Sequence, residues 1–424
     1  MKKLLSLAMA ISLFVNAGAQ DLDQINDLMA KSKFKEAKTG IDKYLLNPKK
    51  ANDAEGWYYK GRVYNSLSHD STVPQSDLFQ LRNDAYNAFK QNQLLDPADI
   101  YMKLETYNSY LDLYFGFYDL GAKEFNSKNF NGALESFKKS NEVKDFILAK
   151  KYTYAQITLY PLDTALVLNT AASAVQAKKE DEAVVYYRKL TDANVSGKDY
   201  LEIYEYLVDY YNRKEDQANL QAMLAKAKSY YPENEFWYDV EIRNAKKSGD
   251  QALLLAKYEE LLKQNPKNFT LSYNYGIELY NGLYGKEAKT GDNTEAKQKL
   301  TGVLQQAIDN EPNGDVTATV MMANHLFNVA ADELNTSNMI KSTKPEDVKK
   351  KADMKTQAHK TMDECIKYAE SAEKHYDGLP KLTGGQKANY KIMIGYLGDI
   401  YSLKNNKAKI AEYEKKNAES DKKL

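Results

Sequence analysis

The sequence has a single cysteine, Cys365, among 424 residues, so an intramolecular disulfide cannot form. Proline and glycine are also scarce, with 9 and 20 residues, which suits helices joined by short turns. After Val15 no apolar run approaches the roughly 20 residues that a bilayer-spanning helix needs. The fold must therefore be stabilised by the packing of its core, and we expect no membrane span.

Acidic and basic side chains are balanced, with 59 of each. A protein that binds nucleic acid or a membrane surface is expected to carry a basic face. The balance therefore argues against both classes, and we expect no nucleic-acid partner. Tyrosine is abundant, with 34 residues, and its amphipathic side chain serves both in protein cores and at binding surfaces.

The first twenty residues have the pattern of a secretory signal peptide. Lys2 and Lys3 precede a short apolar run, Leu4–Val15, and Ala17-Gly18-Ala19 is a small-residue cleavage site. We predict that residues 1–19 are removed. The product would be an exported protein, soluble in the periplasm or secreted.

The rest of the chain contains internal repeats. Pro232 and Pro266 are 34 residues apart, and each closes a similar series of tyrosine, leucine and small residues. A related pattern begins at Trp57, with a glycine four residues later at Gly61 and a tyrosine three residues after that at Tyr64. Such a fixed period indicates one structural unit repeated along the chain.

These patterns resemble the two-helix signature of the tetratricopeptide repeat family. The second-helix signature, a small residue, an aromatic residue and a proline, is matched by Ala85, Phe89 and Pro97, whereas Lys60 departs from the usual leucine of the first helix. Further matches cover most of the chain, at Phe117, Gly121 and Phe137, at Ala171 and Tyr187, at Gly276 and Leu304, and at Leu397 and Gly398. The resemblance implies an all-α fold, a right-handed α-solenoid of about eight or nine helix-turn-helix repeats.

Breaks in the period divide the chain into four predicted segments. They are the signal peptide at 1–19, the repeat array at 20–333 with inserts at 65–84 and 281–295, a polar joint and helix start at 334–357, and a C-terminal helical cap at 358–424. In the first insert we predict a loop followed by a short helix from Asp77, because serine, threonine and proline precede it.

Motifs for enzymatic chemistry are missing from the sequence. Phosphate-binding glycine loops, the Gly-x-Ser-x-Gly motif of serine hydrolases and the His-Glu-x-x-His zinc motif are all absent. His359 and Asp363 have helical spacing, but such a pair on a charged helix is typical of a solvated face. Cys365 occupies a position for a small packing residue, which indicates a buried structural thiol. We predict a protein that is not an enzyme and needs neither cofactor nor metal.

The resemblance also implies a concave groove lined by the first helix of each repeat. The implied groove positions are Tyr58, Arg62, Tyr118, Glu205, Asp209, Asp239, Arg243 and Tyr273, with Asn65 beside Arg62 and Tyr280 on the same stripe. Tyr58, Tyr118, Tyr273 and Tyr280 are expected to face outward. Arg62 with Asn65 resembles part of a clamp for a terminal carboxylate, although the other positions of that clamp are not matched.

Two functions are compatible with this pattern. The first is an exported scaffold or adaptor that binds a protein or peptide partner in its groove, as part of an envelope or secretion complex. The alternative is a protein that captures a carbohydrate or another small ligand, with the glycine-containing insert at 281–295 shaping a pocket. The adaptor is favoured because glycan-capturing proteins of this kind normally have a lipid anchor and larger loop regions.

Overall fold

The structure is a computed structural model that describes residues 21–286 and 293–420. The predicted signal peptide and the centre of the predicted 281–295 insert lie outside the described residues. Within them the chain forms nineteen α-helices and a 3₁₀ turn at Lys198–Tyr200, without a β-strand. The helices are α1 Leu22–Ala30, α2 Phe34–Leu46, α3 Ala54–Leu67, α4 Gln75–Leu95, α5 Ile100–Leu104, α6 Asn108–Asn126, α7 Phe130–Ala149, α8 Thr164–Gln176, α9 Glu180–Asp192, α10 Leu201–Arg213, α11 Gln217–Tyr230, α12 Phe236–Lys247, α13 Gln251–Gln264, α14 Phe269–Tyr284, α15 Thr294–Asp309, α16 Thr317–Met339, α17 Pro345–Asp377, α18 Gly384–Leu403 and α19 Lys407–Glu419.

The helices pack in consecutive pairs. Among the described residues there are nine such pairs, namely α1/α2, α3/α4, α6/α7, α8/α9, α10/α11, α12/α13, α14/α15, α16/α17 and α18/α19. Within each compact unit of the chain, every pair packs on the next pair in the sequence. The predicted all-α fold of tetratricopeptide-like helix-turn-helix repeats is therefore confirmed, and the pair α1/α2 is the first repeat among the described residues.

The chain divides into two compact units. The first unit ends at Glu233 and the second begins at Asn234. The core of the first unit is rich in aromatic residues, among them the buried rings of Tyr110 and Phe117. The second unit has its own core, built from α12 to α19.

The two helices of a pair approach closely at the glycines of the repeat signature. A Cβ added to Gly61 of α3 would collide with the ring of Phe89 in α4. A Cβ added to Gly276 of α14 would lie 2.8 Å from Cδ2 of Leu304 in α15, which is also too close. Both are the residue pairs that the repeat signature matches, so the register of the repeats is confirmed in each unit.

The predicted insert at 65–84 is only partly a loop. The connection between α3 and α4 is short, and α4 begins at Gln75 and continues without a break to Leu95. Arg82 explains the difference, because it is buried and donates a hydrogen bond of 2.7 Å to the carbonyl of Gly116 in α6. The extra turns of α4 therefore pack on the next repeat. The prediction of a separate short helix from Asp77 is wrong.

Two covering segments of the first unit were not predicted. One contains the short helix α5, and the other is the stretch of residues 150–163 between α7 and α8, which has no helix. The second is held by Tyr152, whose ring stacks on that of Tyr107 with centroids 3.7 Å apart and whose hydroxyl donates to Asp99 at 2.8 Å. Both segments lie against the aromatic core of the first unit.

Cys365 of α17 is fully buried in the second unit, as predicted for a structural thiol. Its sulfur is 3.3 Å from the carbonyl oxygen of Ala323 in α16. Burial raises the pKa of the Cys365 thiol to about 12, so the reactive thiolate is scarce at neutral pH.

His325 of α16 should make the second unit sensitive to acid. Its Nδ1 is 3.0 Å from the Tyr284 hydroxyl, its Nε2 is 2.9 Å from Oγ1 of Thr301, and burial lowers the pKa of His325 from 6.5 to about 4. Because the unfolded state binds the proton first, stability is lost as the pH falls from about 6.5 to about 4 and then levels off. We expect this group to remove about 3 kcal/mol of unfolding free energy over that range.

The measurement is urea unfolding between pH 7 and pH 4 in a Trp57→Phe background, where fluorescence of Trp237 reports on the second unit alone. His325→Gln should remove this part of the pH dependence, because the amide does not titrate. His359→Gln is the control, since His359 is exposed on α17. An acid response that is the same with and without His325 would contradict the prediction.

Candidate functional site

Tyr58 is the first predicted groove residue, and it is not on an open face. Its side chain is only 8% exposed, its ring stacks on that of Tyr101 with centroids 5.2 Å apart, and its hydroxyl donates to Glu105 at 3.2 Å. Burial raises the pKa of Tyr58 to about 12. The expectation that Tyr58 faces outward is wrong, because α5 and the residue that follows it cover this part of α3.

Asn65, the groove residue predicted beside Arg62, is not free to bind a partner's carboxylate. Asn65 is buried and its Nδ2 donates to Asp112 of α6 at 2.6 Å, and Nε2 of His69 is 2.9 Å from the same carboxylate oxygen. Burial opposes ionisation of Asp112, but these hydrogen bonds outweigh it and lower the pKa of the carboxyl group. Asn65 therefore already holds a carboxylate of its own chain. Arg62 is partly exposed and lies over the Tyr58 ring, 5.8 Å from its centroid.

Several stripe residues connect the first helices of successive repeats. Asn169 of α8 donates to the hydroxyl of Tyr118 in α6 at 3.0 Å, and Asn328 of α16 donates to the hydroxyl of Tyr280 in α14 at 3.0 Å. The bond from Asn65 to Asp112 connects α3 with α6 in the same way. These stripe residues therefore lie between the first helices and are engaged in spacing them.

The acidic stripe residues of α10 are more accessible. Asp209 is exposed and forms an ion pair of 2.8 Å with Arg213, which also lies 3.3 Å from Glu180 of α9. Glu205 is partly buried one helical turn before Asp209. In the second unit Asp239 and Arg243 of α12 are exposed and pair at 3.3 Å, while the ring of Tyr273 is partly buried and stacks on Phe269.

A cleft of about 280 Å³ lies between the N-terminal halves of α12 and α14, which are the first helices of successive repeats. We call it the α12–α14 cleft. Its apolar lining comes from Phe236 and Ile242 of α12, Tyr258 of α13 and Leu271 of α14. Of the predicted groove residues, only Asp239 is part of its lining.

The polar lining of the α12–α14 cleft consists of acceptor-rich side chains. Glu235 and Asp239 supply carboxylates, and Asn268 and Asn274 supply amides. Asn268 also caps α14, since its Oδ1 accepts a hydrogen bond of 2.9 Å from the backbone N–H of Leu271. Such a lining can accept hydrogen bonds from backbone N–H groups and can attract a cationic side chain.

A second cleft, of about 360 Å³, lies in the first unit beside residues 157–164. Phe115 and Tyr160 line it and are 40% and 67% exposed. Lys144 is buried at its base and donates to the carbonyl of Pro161 at 2.9 Å, and Asp163 accepts from the Tyr114 hydroxyl at 2.6 Å. We call it the 157–164 cleft.

Residues 21–286 and 293–420 offer neither a cluster of metal ligands nor a membrane-spanning helix. In these ranges no three or more His, Cys, Asp or Glu side chains are grouped so that they could hold a metal ion. In the same ranges each helix is too short or too polar to cross a membrane.

No protein-family model matches the chain, and no curated protein matches it. Among solved structures, the chain is similar to the C-terminal part of a TPR repeat-containing protein from Cytophaga hutchinsonii, with 12% identity, a TM-score of 0.36 and coverage of 72% of this chain and 96% of that one. It is also similar to the human IFIT1 dimer with m7Gppp-AAAA, with 14% identity, a TM-score of 0.21 and coverage of 93% and 80%. At these TM-scores, the tetratricopeptide-like fold rests on the helix pairs and glycine contacts described above.

Proposed function

We propose that this tetratricopeptide-like protein is a non-enzymatic scaffold or adaptor that binds a segment of a protein partner. The observation that carries the proposal is the α12–α14 cleft, where apolar side chains and acceptor groups line the same space between two first helices. Peptide-binding grooves combine pockets for apolar anchor residues with polar groups that fix the backbone. The cleft provides both.

The chemistry of the cleft defines the class of segment. The apolar lining of Phe236, Ile242 and Leu271 suits an apolar anchor side chain, and the carboxylates of Glu235 and Asp239 favour a lysine or arginine next to it. The small volume suits one anchor rather than a folded domain. We therefore expect a short segment with an apolar residue beside a basic one.

The proposed location is outside the cytoplasm. The predicted signal peptide supports export, either to the periplasm or to the medium, and an envelope or secretion complex is the kind of assembly in which such an adaptor would work. Arg62, Glu205, Asp209, Arg243 and Tyr273 remain proposed contact residues, because they lie on the first helices at partly or fully accessible positions.

Site-specific photo-crosslinking in the native cell tests the proposal. A photoreactive residue at Asn274, which is exposed and lines the cleft, should give an adduct with a defined polypeptide. The same residue at Gln264, exposed at the end of α13, is the positional control. The crosslinked segment, made as a peptide, should bind the purified protein.

A charge reversal in the cleft tests how much its carboxylates contribute to peptide binding. Asp239→Lys should weaken binding of that peptide about tenfold or more, because it replaces an attractive carboxylate by a repulsive ammonium group. Asp309→Lys makes the same change of charge at an exposed site on α15. Equal adducts at Asn274 and Gln264, or equal effects of the two lysine variants, would contradict cleft binding.

The 157–164 cleft favours the second candidate, capture of a carbohydrate or another small ligand. The exposed rings of Phe115 and Tyr160 provide flat apolar surfaces, and the exposed hydroxyl of Thr158 provides both a donor and an acceptor in the same cleft. If this cleft is the functional one, Tyr160→Ala should abolish ligand binding and Asp239→Lys should leave it unchanged. A titration of both variants against a panel of saccharides decides between the two candidates.

A further inference from the structure

The α16/α17 pair is longer than a repeat requires. The helix α17 has 33 residues, whereas the longest helix outside this pair among the described residues has 21. At 1.5 Å per residue, α17 is about 50 Å long. The first buried residue of α17 is Ala358, so the thirteen residues 345–357 add nothing to the core of the second unit.

Residues 334–357 comprise the end of α16, the start of α17 and the connection between them, and we call this segment the arm. It coincides with the stretch that the sequence suggested as a polar joint. Two hydrogen bonds connect the end of α16 with the start of α17. The buried Ser337 hydroxyl donates to the carbonyl of Lys351 at 2.9 Å, and Nζ of Lys351 donates to the carbonyl of Ile340 at 3.2 Å. Pro345 starts α17 at a position where proline favours helix initiation. The arm is thus a built element rather than a loose linker.

The end of the arm combines exposed apolar side chains with basic ones. Met339 is 77% exposed and Val348 is 51% exposed, on either side of the connection between α16 and α17. The charged residues of the arm are Lys341, Lys344, Lys349, Lys350, Lys351 and Lys355 against Glu346, Asp347 and Asp353. Six positive and three negative side chains give the arm a net charge of +3, although the whole chain is neutral.

The lysines of the arm are not neutralised locally. Within the part of the chain that the structure describes, no carboxylate lies within ion-pair distance of any of these six lysine amines, whereas other lysines such as Lys297 and Lys416 are paired. Because these lysines form no ion pair with the described carboxylates, their amines remain available to an anionic partner, and Met339 and Val348 add apolar surface beside them. The end of the arm therefore has the composition of an interaction surface.

We propose that the arm binds an anionic lipid surface, with Met339 and Val348 entering the headgroup layer and the lysines facing lipid phosphates. Two helix ends and their connection offer no walls to enclose a peptide, but their exposed apolar side chains can enter a flat, deformable surface. Lysine clusters attract anionic leaflets, and a few apolar side chains strengthen that attachment without spanning the bilayer. This inference does not depend on the α12–α14 cleft.

Vesicle co-sedimentation of the full chain without its predicted signal peptide tests this inference. Phosphatidylcholine vesicles containing phosphatidylglycerol should bind the protein at least about tenfold more strongly than vesicles of phosphatidylcholine alone, because several lysines act together. Added salt should reduce the binding, since exposed charges are screened.

Matched charge reversals identify the surface. Lys349→Glu with Lys350→Glu should lower binding to the anionic vesicles at least about tenfold, while the control Lys263→Glu with Lys415→Glu changes the same net charge at exposed sites of the same unit and should have little effect. Met339→Ser should weaken binding without changing net charge. Circular dichroism checks that all variants keep their helix content, as exposed substitutions normally do.

Three results would overturn the inference. They are equal binding to both kinds of vesicle, equal losses in the arm and control variants, and binding of the arm to polyglutamate without any binding to vesicles. The last result would identify the arm as a site for an acidic protein segment instead. Because peptide binding at the cleft is measured separately with Asp239→Lys, failure of one proposal leaves the other testable.

Discussion

Replacing Gly61 with leucine is expected to lower the free energy of unfolding of the first unit by about 3 kcal/mol, the upper part of the range for an overpacked core. The side chain would have to occupy space that the Phe89 ring already fills. That ring cannot move aside easily, because it is fully buried and packs against the rings of Tyr58 and Tyr110. Urea unfolding followed by Trp57 fluorescence, in a Trp237→Phe background, measures the loss.

Gly302→Leu is the matched control for this prediction. Gly302 is also in a helix, but a Cβ there would meet no atom within 4 Å. Since leucine favours the helix more than glycine, this control should gain up to about 1 kcal/mol in the second unit, measured by Trp237 fluorescence in a Trp57→Phe background. Adding Phe89→Ala to Gly61→Leu should cost less than the two single changes together, with a coupling of about 1 to 3 kcal/mol. Additive effects of the two changes would show that the helices of this repeat do not meet at this pair.

Trp237→Ala is expected to destabilise the second unit by about 3 to 5 kcal/mol, since its side chain is fully buried. Trp57 occupies the tryptophan position of the repeat signature, but it is less buried than Trp237. Trp57 is only partly buried at the edge of the first unit, and its Nε1 donates to the carbonyl of Ala51 at 2.8 Å. We expect Trp57→Ala to cost about 1 to 2 kcal/mol, because less of the ring leaves water on folding.

Hydrogen exchange measured by mass spectrometry separates these two effects. Trp237→Ala should raise exchange in helices α12 to α15 and leave α6 and α7 unchanged, whereas Trp57→Ala should raise it slightly in α2 and α3. Thermal unfolding by circular dichroism gives the overall cost. A larger loss for Trp57→Ala than for Trp237→Ala would contradict the burial of the two rings.

The helix pairs could be predicted from the sequence because their signals are local. Gly61 and Phe89 belong to one repeat, and the aromatic and small residues of each repeat recur at helical spacing. Small residues at a helix crossing have a direct physical reason, the close approach of two backbones. The start of α17 also has a local signal, because Pro345 is the first residue of the helix and proline is favoured at that position.

The two segments that cover the first unit, the one that contains α5 and residues 150–163, could not be predicted in this way. Tyr58 meets Glu105 across 47 residues of sequence, and Tyr152 meets Asp99 across 53. The segments that make these contacts have no helical period, so nothing in their local pattern indicates which surface they cover. A stripe position derived from one helix therefore predicts where a side chain lies, but not whether another segment lies on top of it.

The candidate site shows the same limit. Asp239 was predicted as a groove residue and lines the α12–α14 cleft, because its place follows from the register of α12. The apolar lining was missed, since Phe236, Ile242 and Leu271 look like ordinary core residues in the sequence. Tyr118 and Tyr280 belong to the predicted stripe, but the asparagines that donate to their hydroxyls lie about fifty residues further along the chain.

Because Cys365 is buried, oxidation of its thiol depends on opening of the second unit. In an oxidising compartment the thiol is protected as long as the second unit is closed, because neither an oxidant nor a second chain can reach it. Each opening of α16 from α17 exposes it for a moment. When a thiol reagent reacts faster than the second unit closes again, the rate at which it consumes the protein equals the rate of those openings and no longer depends on the reagent concentration.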